Sequence, residues 1–299
     1  MYDKLLDLVP QECIREHESM KRHTTFGIGG PADIMIFPRN VDDIRNIILT
    51  CGSNNYPFYT IGQGSNLLVT DKGIRGVVIK MGENWNRVKV EGEVINAQAG
   101  ISLYALSRLA ANNSLSGLEF AEGIPGSLGG AVVMNAGAYD GEMQDVVIEV
   151  EAIKSNGDIE KFTREQINFG YRSSRFQNQP WVVLEAKLQL SIGDKEQITQ
   201  KMRVLADKRK SKQPYDFPSA GSVFKRPPGY YVGPMVENLG LKGYRIGGAQ
   251  VSEKHAGFIV NTGSATAADV LALIQHIQSR AKEQYGVDLH PEIKIIGEM

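Results

Sequence analysis

The chain has 299 residues, 42% hydrophobic and 22% charged, which is ordinary for a globular protein and long enough for two or three domains. Its 33 Lys and Arg nearly balance 34 Asp and Glu. There is therefore no broad cationic field to draw nucleic acid or an anionic membrane, and any anion must be held locally by loop amides, helix ends and a few placed cations.

From the N-terminus, no basic stretch precedes an apolar core, so no signal peptide is expected. No apolar run approaches the roughly 18 residues that span a bilayer. Cys13 and Cys51 form no metal-ligand pattern; one disulfide between them is conceivable, but nothing else reads as a stapled secreted scaffold. These features predict a cytoplasmic protein without a metal. Val41, Ile44, Ile47 and Ile48 recur at helical spacing behind Asp42 and Asp43, predicting a helix over 41–51. Residues 57–61 read as a buried strand entering a glycine turn, and 76–81 as another strand. Residues 87–90 and 94–97 read as a hairpin and 102–112 as a helix. Strands 145–153 and 159–162 flank Asn156-Gly157, a strong hairpin signal, and 181–190 is a further strand.

A helix from about 195 ends in Lys208-Arg209-Lys210-Ser211-Lys212, where cations suit the partial negative charge of the last carbonyls. The run reads as a solvated helix end, with anion binding as the alternative. A loop over 213–229 leads to a short helix, 234–239, and a strand, 255–261. Thr266 and Asp269 resemble a capping box opening a helix over 267–285, with Val270, Leu271, Ile274 and Ile277 as its apolar face. Residues 292–296 close the chain as a strand. Helices and strands interleave without regular alternation, so the expected class is α+β, divided at 1–82, 83–203 and 204–299.

Two glycine-rich segments stand out. Gly62-Gln63-Gly64-Ser65-Asn66 follows a strand and is either a tight strand-to-strand turn or an anion nest of backbone amides. It is not a dinucleotide fingerprint, because Leu67 stands where the third glycine belongs and no clear helix follows. The second, Gly123-Ile124-Pro125-Gly126-Ser127-Leu128-Gly129-Gly130, continues to Asn135-Ala136-Gly137-Ala138. So many glycines suit close backbone approach to a pyrophosphate, with Ala131, Ala136 and Ala138 leaving room for a flat ring; a glycine-lined packing interface is the alternative. Three further segments carry reactive side chains: Tyr171-Arg172, Ser222 with Lys225 in Ala220-Gly221-Ser222-Val223-Phe224-Lys225, and Pro291-Glu292. Taken singly, each has a plain explanation as a surface ion pair, a loop cap or an edge residue.

Taken in order, these segments resemble the UDP-N-acetylenolpyruvoylglucosamine reductase family across nearly the whole chain. So do His23-Thr24-Thr25-Phe26-Gly27-Ile28-Gly29-Gly30 and Gly240-Leu241-Lys242-Gly243-Tyr244-Arg245-Ile246-Gly247-Gly248-Ala249. The length, and the direct run from strand 181–190 into the following helix, resemble the shorter form of that family, which lacks an inserted substrate loop. The resemblance implies a two-part FAD-binding domain of the vanillyl-alcohol-oxidase type and a C-terminal α+β substrate-binding domain. It implies FAD as cofactor, held by Gly62, Gln63, Gly64, Ser65, Asn66, Gly123, Ile124, Pro125, Gly126, Ser127, Gly129 and Gly130. NADPH is implied as reductant and the enolpyruvyl ether of UDP-N-acetylglucosamine as substrate, in a monomeric enzyme of peptidoglycan precursor synthesis. Arg172, Ser222 and Glu292 match the family's catalytic residues, with Ser222 as proton donor to carbon. Tyr171, Lys225, Arg226 and Lys254 are expected substrate contacts, and His255 is expected to be structural. Arg226 departs from the family pattern, where Asn commonly follows Phe-Lys. The competing readings are a flavin oxidase of the same fold acting on an alcohol, and a flavin- or nucleotide-sugar-binding regulatory module.

Overall fold

The amphipathic pattern behind Asp42 and Asp43 forms the helix Val41–Ser53 in the computed structural model, which describes residues 3–299. The Asn40 side chain accepts from the Asp43 amide at its start, a cap worth about 1 kcal/mol. Ile44, Ile47 and Ile48 are fully buried, each contributing roughly 1.5–3 kcal/mol. The helix Leu103–Asn112 is capped in the same way by Ser102. The Thr266–Asp269 capping box is formed at the head of the helix Ala267–Tyr285.

A four-stranded sheet runs in the order Ile14–Ser19, Pro31–Ile36, Ile74–Lys80, Phe58–Ile61, the last two parallel. A five-stranded antiparallel sheet runs Ile159–Thr163, Val147–Ile153, Val182–Gln189, Val94–Gln98, Val88–Glu91. A second four-stranded antiparallel sheet runs Ser219–Ser222, Phe258–Asn261, Ala249–Val251, Arg245–Ile246. Lys294–Ile296 pairs in parallel with Leu67–Val69. The chain divides into two units. The first comprises residues up to Glu16, Ile34–Gln63 and Gly76–Arg209; the second comprises His17–Asp33, Gly64–Arg75 and residues from Lys210. Each has its own apolar core. The first packs Ile44, Ile47, Val77, Ile79, Ile95, Leu106 and Val150 together; the second packs Val270, Ile274 and Ile277 with Val251 and Ile259.

Four expectations change. Residues Met143–Val146 form a short helix before the strand Val147–Ile153, closed by a capping box between Glu142 and Asp145. The loop 213–229 contains the strand Ser219–Ser222, whose small side chains carry little strand propensity and which exists through pairing with Phe258–Asn261. The last strand is Lys294–Ile296, so Glu292 precedes it rather than opening it. The cationic end of the helix Lys195–Lys212 is not wholly solvated: Arg209 is only 5% exposed, lies over the Tyr139 ring and donates to the Phe120 carbonyl. Among the described residues, no helix is long and apolar enough to cross a membrane, and no cluster of His, Cys, Asp and Glu is placed to hold a metal.

Candidate active site

The first glycine turn leaves the sheet beside its neighbouring strand: Ile61 stands opposite Lys80, and the Lys80 ammonium donates to the Gly62 carbonyl at 2.5 Å. Burial pulls this lysine well below its usual range, to about 8. The two glycine segments meet here. A Cβ on Gly62 would stand 2.0 Å from Ser127 Oγ, so a side chain at 62 would drive them apart. Gly64, at φ +68, is pressed against the His23 carbonyl, which a Cβ would approach to 2.1 Å. The family motif beginning at His23 thus packs backbone to backbone against the turn. Asn66 is a brace: its side chain donates to the Glu292 carbonyl at 3.1 Å, and its own carbonyl accepts from the Lys294 amide at 2.9 Å.

The second segment runs into a helix, Leu128–Met134, with Ser127 at its N-cap. Its backbone is partly engaged. Gly126 O accepts from Leu103, Leu128 donates to Ile101, and Gly129 donates to Ala99. The amides of Gln63, Gly126 and Ser127 donate to no group among the described residues, which leaves them for an anion. Gly129 is a packing glycine, since a Cβ there would lie 2.9 Å from Ala99 Cβ. Gly129→Val is accordingly expected to destabilise the flavin-free protein by about 1–3 kcal/mol through overpacking. Thermal melts of apoprotein check this, and an unchanged melting temperature would remove the packing role. Ala131 lies in the core of the first unit and Ala136 packs against it, so their small size serves packing rather than space for a ring.

Tyr171 and Arg172 form the tip of a tight turn closed by reciprocal backbone bonds between Gly170 and Ser173, at 3.0 and 3.1 Å. Arg172 adopts φ +51, a left-handed conformation that non-glycine residues seldom take. Gln177 holds its carbonyl at 2.7 Å, and its guanidinium donates to the Gly137 carbonyl at 2.9 Å, so the second glycine segment fixes the side chain's direction. The Tyr171 ring lies 5.2 Å beneath the guanidinium.

In the second unit, residues 222–225 run beside 290–292. Glu292 N donates to Val223 O at 2.7 Å, Lys225 N donates to His290 O at 2.9 Å, and Phe224 bridges Pro291. Ser222 is exposed behind Gly221, whose φ of +79 turns the strand. The Ser222 hydroxyl makes no hydrogen bond among the described residues. Lys294 is half-buried close to Lys225; burial, then the Lys225 charge, lowers its pKa. Arg226 lies 3.8 Å over the Tyr231 ring. The Lys254 ammonium donates to the Lys210 carbonyl at 2.8 Å, at the C-terminus of the helix Lys195–Lys212. His255 accepts from the Gly257 amide through Nδ1 and packs against Phe258, and burial keeps its pKa below the ordinary value. Arg172 belongs to the first unit; Ser222 and Glu292 belong to the second. Lys80 and Lys294 are absent from the sequence-derived set. Their signals were a lysine ending an apolar strand and a cation two residues after a carboxylate.

A glycine turn whose Gln63 amide has no acceptor among the described residues, a second glycine loop touching it and a half-buried cation without a carboxylate partner among those residues suit a diphosphate-bearing cofactor. Residues 32–163 match the FAD binding domain family. Part of the chain also aligns with the Bermuda grass isoallergen BG60 structure at 15% identity and a TM-score of 0.51, covering 64% of this chain and 44% of that one, a likeness of fold alone. The fold and the glycine segments together define an α+β flavoprotein class. Residues 213–296 match the UDP-N-acetylenolpyruvoylglucosamine reductase C-terminal domain. The UDP-N-acetylenolpyruvoylglucosamine reductase of Syntrophomonas wolfei is 51% identical over the full length of both chains. The crystal structure of the Thermus caldophilus UDP-N-acetylenolpyruvylglucosamine reductase is 35% identical, covers 93% of this chain and 97% of its own, and superposes with a TM-score of 0.81. The chain belongs to the UDP-N-acetylenolpyruvoylglucosamine reductase family.

Proposed function

We propose that this chain uses NADPH to reduce the enolpyruvyl ether of UDP-N-acetylglucosamine to UDP-N-acetylmuramate, with Arg172, Ser222 and Glu292 as its catalytic residues. The observation that supports the assignment of roles is the run 222–225 laid beside 290–292: Ser222, exposed and with a hydroxyl that makes no hydrogen bond among the described residues, is on one run, and Glu292 is on the other.

FAD, when bound, supplies hydride relay from NADPH to the terminal enolpyruvyl carbon. The chain's own residues manage the charge and the proton. As the hydride arrives, negative charge builds on the neighbouring carbon and spreads into the substrate carboxylate. Arg172, already oriented by Gly137, clamps that carboxylate with its planar fork. Glu292 in its protonated form donates to the enol oxygen. Ser222 passes a proton to the carbon. A hydroxyl is a weak acid, but the enolate carbon is strongly basic, and Lys225 polarises the hydroxyl. Tyr171, Lys225, Arg226 and Lys254 serve the substrate's anionic groups, and Gly62–Asn66 with Gly123–Gly130 serve the cofactor. Residues 1–82 and 83–203 act as the two cofactor-binding parts and 204–299 as the substrate-binding part. The chain is read as a monomer working in the cytoplasm without nucleic acid or membrane.

Purified protein is expected to be yellow. NADPH should bleach its flavin band, and the enolpyruvyl sugar should restore the band without oxygen. Rapid restoration by oxygen alone, with no response to the sugar, would instead identify an oxidase acting on an alcohol. A colourless protein that FAD cannot reconstitute would leave only a binding module.

A further inference from the structure

We infer that Lys80 is a positioning residue for the cofactor: by gripping the Gly62 carbonyl it turns the Gly62–Gln63 peptide so that the Gln63 amide faces the FAD diphosphate, and it supplies the charge that polarises that amide. The inference rests on the FAD-binding reading above.

Three observations carry it. First, the Lys80 ammonium sits 2.5 Å from the Gly62 carbonyl. A trans peptide is planar, with its C=O and N–H antiparallel, so anchoring the oxygen aims the Gln63 N–H in the opposite direction. That amide has no acceptor among the described residues. Second, Lys80 is half-buried at the end of a strand whose Val77 and Ile79 are fully buried, and no carboxylate among the described residues pairs with it. Burial pulls its pKa down to about 8. A desolvated cation without a counter-ion is costly, and an anion held through the intervening peptide offsets that cost. Third, the peptide Lys80 holds is the one where Gly62 touches Ser127, so the grip acts where the two glycine segments meet. A chain running ammonium, carbonyl, amide, phosphate is mutually polarised and stronger than its separate bonds.

The linkage has a definite sign. Lys80 must carry its proton to polarise the peptide, and the diphosphate favours the charged form. FAD affinity should therefore be full below about 8 and fall as pH rises through that value, by roughly tenfold between about pH 7 and about pH 9. The test is ultrafiltration of holoenzyme across that range, measuring released FAD by its absorbance. Wild type should release more FAD as pH rises. Lys80→Arg, which stays charged, should retain FAD with a flat profile. Lys80→Met should release FAD about 10- to 100-fold more readily than wild type at about pH 7, with a flat profile that the wild type approaches as pH rises. If the Met protein does not fold, the contrast between Lys and Arg profiles decides. Equal retention by wild type and the Met variant across the whole range, or one common pH profile for wild type and Arg, would overturn the inference while leaving FAD binding itself intact. Wild-type protein that never holds FAD would overturn the cofactor reading instead.

Discussion

In Ser222→Ala, NADPH is expected to bleach the flavin band at close to the wild-type rate, while its return on adding the enolpyruvyl sugar slows by about 10²–10⁴-fold. Hydride acceptance from NADPH requires no proton donor toward the sugar, so only the second half-reaction loses anything. Sugar affinity should change little, because the lost interaction belongs to the transition state rather than the ground state. The structure sharpens the distinction from a stabilising role. Ser222 is exposed, and its hydroxyl bonds to no group among the described residues. The loop is held instead by backbone bonds from Glu292 to Val223 and from Lys225 to His290, so the Ala protein should melt within about 0.5 kcal/mol of wild type. Ser222→Cys should recover part of the rate, since a thiol is a better acid of similar reach. Stopped-flow absorbance at saturating sugar is the measurement. Unimpaired return of the band in the Ala protein would end the proton-donor assignment.

The parts of this fold readable from sequence are those specified by neighbours along the chain. Val41–Ser53 and Ala267–Tyr285 declare themselves through apolar spacing and caps lying within three residues of their starts. Val147–Ile153 and Ile159–Thr163 declare themselves through the intervening Asn156-Gly157. The parts that escaped are made by distant partners. Ile14–Ser19 is too polar to show an apolar face, and Ser219–Ser222 is a strand through pairing alone. The parallel pairing of Lys294 with Leu67 joins residues with no local relation. The same holds at the proposed site. Arg172, Ser222 and Glu292 are proposed from an ordered set of motifs, whereas the grip of Lys80 on Gly62 depends on a parallel register across the sheet. The glycines were recognisable as a group but not separable by task. Gly129 meets Ala99 and Gly64 meets the His23 carbonyl, and those approaches are tertiary facts.

Arg172→Lys is expected to lower turnover by about 10²-fold or more, on the scale of losing a preorganised donor to a developing oxyanion, while NADPH still bleaches the flavin at an ordinary rate. Charge is conserved, so a role as a diffuse cation predicts a mild effect. What lysine lacks is the planar fork, and here the fork has a second duty. One arm donates to the Gly137 carbonyl at 2.9 Å, and the Gln177 bond to the Arg172 carbonyl fixes the backbone behind it. A guanidinium can keep that arm on Gly137 while its plane faces the substrate carboxylate; an ammonium at the same Cα has three non-coplanar donors and no such fork. The residue also holds φ +51, strain of about 1–3 kcal/mol that the closed turn between Gly170 and Ser173 imposes. Lysine inherits the strain without the geometry, so stability should be nearly equal in the two proteins and the defect should appear in the sugar half-reaction. Measured there at saturating sugar, a rate near wild type would show that positive charge alone suffices and would remove Arg172 as the bidentate clamp.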